Sequence, residues 1–333
     1  MATKSTTQWF KLLVGVIAVY VLVKVLVLTG LMNSYWQRVL DFGLIMTIGS
    51  LGLSLIYGFT GQFSIGHAAW FGLGAYAAGY IGKTVGGGTP AFLLALAVGT
   101  LFAALVAYLV GLPVLRLTSD YLGIATLGFG IIVKVVLDNI NKVIPSLGGA
   151  VGMTGIPQTA DFEWIFGFLL LSILLCRNFV YSTFGRACTS IREDEIATSS
   201  VGVNPTRYKM MSFVLGCSLA GLAGALYAFR YPFLHPTTFD FLQSFNFLII
   251  VVAGGLGSLT GTVVTGIGWA FLLEGLRFVL GQAFVDFRGV IYALLLIVVV
   301  LVRRQGLFGG KEIGLIVPQI GRRERRNAPA GSL

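Results

Sequence analysis

The residues of this 333-residue chain best suited to acid–base or metal chemistry are thirteen carboxylates and two histidines, and their spacing argues against both uses. His67 and His235 stand far apart, so no metal-ligand cluster forms around them. Cys176, Cys188 and Cys217 contain no CxxC pair, and an odd, scattered set reads as small hydrophobes rather than a disulfide framework. Asp41 and Asp138 fall at the edges of apolar segments, with Asp286 near the outer end of the last one. Only Glu274 lies well inside such a segment, where a charge costs roughly 2.5–3.5 kcal/mol. Arg277 follows three residues on and shares its helix face, so an intrahelical pair is the simpler reading. A carboxylate relay for ion coupling therefore has little support. No nucleophile–base arrangement stands out, and the chain does not read as an enzyme. Gly82-Lys83-Thr84 imitates the end of a phosphate-binding loop, but the pattern needs glycine where Ala77 stands. If ATP drives the work of this chain, ATP and Mg2+ sit on another polypeptide, and no cofactor binds here.

More specific is Gly185-Arg186-Ala187, followed by Ile191 to Pro205 (IREDEIATSSVGVNP). Residues 192–201 are expected to form a short amphipathic helix with acidic residues in its first turn, where the helix dipole favours them. Gly202 can close it in the left-handed conformation, and Pro205 prevents continuation. A charged loop alone is usually a topogenic anchor; a capped helix within it is a rigid handle for a soluble partner. The glycine-rich segment 58–82 has two readings. Gly74 and Ala78, four apart, suit a packing seam between helices. Alternatively an interrupted helix lines a path, with Ser64, Gly66 and His67 along it and Gly255 and Gly257 in the similarly spaced 254–268 segment (GGLGSLTGTVVTGIG). Two such segments are expected to occupy corresponding places in an inverted repeat.

The elements that must hold these residues are apolar. The chain is 56% hydrophobic and 11% charged, with mean hydropathy +0.89, whereas a soluble domain carries about 25% charged residues. Lipid, not water, can solvate such a surface. The expected fold is an all-α, polytopic transmembrane helical bundle of eight to ten spans. The segments are 10–28, 39–57, 64–82, 91–112, 121–137, 163–181, 209–229, 243–258, 262–281 and 283–302. Segment 10–28 carries Lys24 and no small-residue cleavage site follows, so it reads as a span rather than a signal peptide. With ten spans, 15 Lys and Arg fall on the side of both termini and 6 on the other. The positive-inside rule then places both termini and the 182–208 loop in the cytoplasm. The formal charge of +10 gathers partly in the 303–333 tail, where anionic headgroups attract it, so nucleic acid is not an expected partner. The loop 138–162, rich in Gly and Pro, is expected to form turns. No soluble stretch is large enough to fold alone, so 1–333 reads as a single transmembrane domain.

The loop and its continuation Tyr208 to Ala228 (YKMMSFVLGCSLAGLAGALYA) resemble the permease subunits of branched-chain amino acid ABC importers, closer to the LivM than the LivH type. Gly61 to Tyr76 (GQFSIGHAAWFGLGAY), Asp120 to Leu127 (DYLGIATL), Gly152 to Pro157 (GMTGIP) and Gly254 to Gly261 (GGLGSLTG) carry the same resemblance, in order, from about residue 40 to 305. It implies a hetero-oligomer in a bacterial cytoplasmic membrane: a LivH-type second permease, two cytoplasmic ABC ATPases and an extracytoplasmic substrate-binding protein. A small-molecule amino acid would cross by alternating access. Arg192, Glu193, Asp194, Glu195, Ile196, Ala197 and Gly202 would form the coupling helix docked on an ATPase. Many importers carry E-A-A there, with Gly three residues later. Measured back from Gly202 this chain has Ile196-Ala197-Thr198, so the acidic residue comes one place early, at Glu195. Similar relatives serve urea and short-chain amides, which is the alternative substrate reading.

Overall fold

A helix satisfies its own backbone groups, which makes it one of the two structures that can cross a bilayer. The computed structural model describes residues 32–281 apart from 118, residues 14–30 apart from 16 and 19, and scattered positions between 287 and 308. It separates into two units, 38–310 and a smaller one of 1–37 with 311–333. In the smaller unit the described residues are helical over 20–28, and Asn33 Oδ1 accepts a hydrogen bond from Trp36 N at 3.0 Å.

From residue 34 to 280 the described residues form ten helices in order: α1 (Ser34–Leu53), α2 (His67–Val85), α3 (Thr89–Val114), α4 (Ser119–Asn139), α5 (Phe162–Tyr181), α6 (Thr183–Glu193), α7 (Glu195–Ser200), α8 (Pro205–Arg230), α9 (Phe241–Gly254) and α10 (Leu259–Leu280). A π-helical turn, Ser54–Phe59, extends α1. Among the described residues six helices are long and apolar enough to cross a membrane: 34–59, 89–114, 120–142, 162–181, 205–230 and 259–279. The ten expected segments fare differently. Segment 10–28 is helical at its described positions, 14, 15, 17, 18 and 20–28, whereas 283–302 falls largely outside the described residues, as does the 303–333 tail apart from 306–308. Segment 64–82 becomes α2, whose glycines and terminal Lys83 dilute its apolar character. Segment 243–258 becomes the 14-residue α9, about 21 Å long and short for a full crossing. It stops because Gly255 (φ +110°) and Gly257 (φ +80°) take conformations that favour glycine alone.

Burial sorts the helices. Nearly every residue of α1 from Val39 onward is buried, as is most of α8, so these two run through the middle. Helices α3, α4 and α5 turn Leu101, Leu105, Leu109, Ile124, Ile131 and Leu171 outward. The central helices approach closely through glycine. A Cβ on Gly52 would overlap the Gly216 carbonyl, one on Gly74 the Gly221 carbonyl, and one on Gly224 the Phe71 carbonyl. The packing-seam reading thus describes Gly74 and Ala78, which face α8 and α3.

At one end of the bundle the 138–162 loop forms the expected turns, short 3₁₀ segments followed by β1 (Met153–Thr154). This pairs antiparallel with β2 (Phe233–Leu234), Met153 opposite Leu234. Lys83 Nζ donates to Ser146 O at 3.0 Å there, at the C-terminal end of a helix rather than in a phosphate loop. Asp41, placed at a span edge by the sequence, is wholly buried and pairs with Arg230 at 2.6 Å. The opposite end carries α6 and α7.

Candidate functional site

The 182–204 loop folds as two capped helices rather than one. Ser182 Oγ accepts from the amides of Phe184 (3.1 Å) and Gly185 (3.3 Å) and opens α6. Asp194, extended at φ −156°, ends α6; its Oδ1 accepts from Ala197 N at 2.9 Å and starts α7. The expectation of one helix over 192–201 is corrected accordingly. The acidic first turn belongs to α7, with Asp194 as its cap, whereas Arg192 and Glu193 close α6. Gly202 stands at φ +86°, in the left-handed region expected of it. Asn204 Oδ1 then accepts from Arg207 N at 3.3 Å and opens α8 with Pro205 in its first turn.

The helix pair has an inner and an outer face. Gly185, Cys188 and Ile191 of α6 are buried, and Cys188 Sγ lies 3.7 Å from Tyr208 O. Burial pushes the Cys188 thiol above its ordinary range. Thr198 turns inward, its hydroxyl 2.8 Å from Ser190 Oγ, which locks α7 to α6. Glu195 Oε2 pairs with Lys209 Nζ at 2.6 Å and ties α7 to α8. Outward, Ile196 is 79% and Val201 78% exposed. Two bare aliphatic side chains, one in the first turn of α7 and one at its C-cap, leave this short helix with an apolar tip.

Directly behind this pair lie the two helix interruptions. The chain leaves α1 through the π-helical turn and passes Gly61 (φ +75°) before α2 begins at His67. The Thr60 hydroxyl sits 2.9 Å from Leu55 O and 2.7 Å from Ser212 Oγ, so α8 holds this turn. Gln62 Nε2 donates to Lys209 O at 3.2 Å. The second interruption separates α9 from α10, and Ser258 Oγ caps α10 by accepting from Gly261 N at 3.0 Å. Residues 306–308 return to this place. Leu307 N donates to Ala253 O at 2.7 Å and Phe308 N to Gly254 O at 3.3 Å, satisfying carbonyls that the end of α9 leaves open. The two interruptions touch: a Cβ on Gly58 would lie 3.0 Å from Gly257 N.

The five path residues fall at two levels. Gly255 and Gly257 lie at the end carrying α6 and α7. Ser64, Gly66 and His67 lie deeper. His67 Nε2 donates to Gly49 O at 2.9 Å, and Gly49 precedes Gly58 by about 13 Å of helix. Ala68 N donates to Ser244 Oγ at 3.0 Å and Ile65 N to Thr126 Oγ1 at 3.1 Å, so α9 and α4 anchor the deep start of α2. Ser64 Oγ, His67 Nδ1 and Ser50 Oγ are buried there without a hydrogen-bond partner among the described residues. The two levels are therefore not one site. Glu274, in α10, pairs with Arg277 at 3.5 Å, the intrahelical arrangement its spacing predicts.

Sequence reasoning missed Thr60, Gln62, Ser212 and the Glu195–Lys209 pair. Gly58 and Gly61 did carry a signal, glycines bracketing an aromatic and a threonine, but nothing in the sequence pointed from Thr60 to Ser212.

Residues 35–300 match the family described as the branched-chain amino acid transport system permease component. Over 258 residues the chain is 33% identical to the high-affinity branched-chain amino acid transport system permease protein LivM of Escherichia coli K12. That alignment covers 67% of this chain and 59% of the relative, so the chain spans under two thirds of that protein's length. It is 26% identical over 298 residues to the corresponding protein LivH of Salmonella typhimurium LT2, covering 80% of this chain and 94% of that one. A probable branched-chain amino acid transport permease protein LivH of Methanocaldococcus jannaschii is 25% identical over 282 residues, covering 80% and 89%. No solved structure matches.

Proposed function

This chain belongs to the branched-chain amino acid transport system permease family, and on that premise we propose that it is a membrane-spanning subunit of an ATP-driven importer for branched-chain amino acids. The observation that carries this reading is the docked pair α6–α7, with an apolar tip outward at Ile196 and Val201 and the two helix interruptions behind it. Such a tip is a surface for a soluble partner, which in this reading is one of two cytoplasmic ATPases. Glu193, Asp194, Glu195, Ile196, Ala197 and Gly202 belong to that surface; ATP and Mg2+ bind to the partner.

Orientation follows from charge. The end carrying α6 and α7 is cytoplasmic on the positive-inside rule, as are both termini. A LivH-type second permease completes the path, and an extracytoplasmic binding protein docks on the 138–162 and 230–242 loops in a bacterial cytoplasmic membrane. Specificity then lies largely in the binding protein, and the permease supplies a weakly polar, gated route past Ser64 and His67, closed at Gly255 and Gly257. The two helix–interruption–helix units, α1–α2 and α9–α10, occupy corresponding places in an inverted repeat.

Reconstitution tests the reading. Proteoliposomes with both permeases, both ATPases and the binding protein are expected to take up radiolabelled leucine only with ATP inside the cytoplasmic compartment, and to keep doing so with ion gradients collapsed. Uptake without ATP that ionophores abolish would overturn the importer assignment, and uptake of urea or acetamide in place of leucine would overturn the substrate.

A further inference from the structure

Arg192 is exposed, its side chain 33% accessible, yet it is fastened inward. It sits in the last turn of α6, and its guanidinium reaches back into the membrane domain, where Nη1 donates to Gly58 O at 2.6 Å. Gly58 is the penultimate residue of the π-helical turn, where the backbone register has slipped and a carbonyl is available to an outside donor. The other side of the guanidinium is held by Glu193 Oε1, 2.6 Å from Nη2 and 3.2 Å from Nε.

Glycines surround the side chain. A Cβ on Gly61 would press within 2.8 Å of Arg192 Cγ, and one on Gly257 would lie 3.1 Å from Nη1. Both have positive φ, +75° and +80°. One side chain from the loop thus touches both interruptions at the point where they touch each other. Glycine serves twice here, leaving room for the arginine and supplying backbone dihedrals that can absorb rotation.

We infer that Arg192 is the positioning residue through which movement of α6–α7 is delivered to both helix interruptions together. The inference rests on the importer reading and adds to it the element that receives the movement. A carbonyl held by a charged donor follows that donor, because a charge-assisted hydrogen bond in a partly buried place is strong and directional. With Gly58 and Gly257 in contact, a shift of Arg192 cannot rotate one interruption without the other. Glu193 contributes by orienting the fork, so that Nη1 rather than Nη2 faces Gly58.

The test is the number of leucine molecules taken up per ATP hydrolysed, in the reconstituted importer described above. Arg192→Gln is expected to lower that ratio about tenfold, with the ATPase subunits still co-purifying. Arg192→Lys retains a charged donor but no fork and is expected to recover part of the ratio. An unchanged ratio in an assembled Arg192→Gln complex would overturn the inference. Should Arg192→Gln fail to assemble, Glu193→Gln decides. A ratio lowered about threefold supports the inference, and a wild-type ratio overturns it. Absence of ATP-dependent uptake by the wild-type complex overturns the importer reading itself, before any variant is compared.

Discussion

Asp41 stands about two turns into the most buried helix, and its carboxylate has no exposed surface. A charge so placed is tolerated because Arg230, at the far end of α8, brings Nη2 to 2.6 Å and Nε to 2.7 Å. Removing one partner strands the other. Arg230→Leu is expected to cost about 3–5 kcal/mol, and Asp41→Ala combined with Arg230→Leu to recover most of it. Thermal unfolding of the detergent-purified protein reads both, and a single variant as stable as wild type would contradict the pairing. Asp41 is legible in the sequence as a span-edge residue, but its burial is not, since Arg230 is 189 residues away. Glu274 was legible because its partner lies three residues along the same helix. Local pairs follow from helical geometry, and distant ones need the fold.

At the scale of elements, glycine decides how closely helices approach. Gly224 lets α8 lie against α2 with no room for a methyl group beside the Phe71 carbonyl. Gly224→Ala is expected to destabilise by about 2 kcal/mol or more, because backbone rather than a flexible side chain must yield. Gly128, on α4, faces open space. Gly128→Ala is expected to be neutral or stabilising by up to about 1 kcal/mol, from helix propensity alone. Equal losses in the two variants would show that the seam is not what holds these helices together. Spacing announced a seam at Gly74 and Ala78, but not which glycines meet backbone and which meet lipid. The helix pair at 183–200 was half legible. Its Asp and Gly caps are in the sequence, yet Asp194 serves as both end and beginning, and a run of charges reads equally well as one helix. The interruption at 58–66 was legible as unusual from its glycines, whereas Thr60 and Ser212, from segments 152 residues apart, meet only in the bundle.

For the molecule as a whole, sidedness is the property most open to test. A cysteine at Ile196, on the α7 tip, is expected to react with a membrane-impermeant maleimide only in inside-out vesicles. One at Val143, 81% exposed at the opposite end, is expected to react only in right-side-out vesicles. Native Cys176, Cys188 and Cys217 are all buried and should stay unlabelled in both, with the Cys188 thiol also pushed up by burial and so less ionised at neutral pH. Labelling of both introduced cysteines from one side would overturn the topology. The residues that carry family resemblance, 61–76, 120–127, 152–157, 185–228 and 254–261, are legible in the amino-acid sequence itself, and so is the handle closed by Gly202. Composition alone determines membrane insertion, because a chain with so few charges cannot cover itself in water. The tertiary structure decided where the handle is fastened. Arg192 looked like part of a docking surface because a charge in a loop is expected to face water. The residue stays exposed, but its guanidinium reaches inward, because a π-helical turn and two glycines from distant segments leave a carbonyl and a space that only a folded bundle can bring to it.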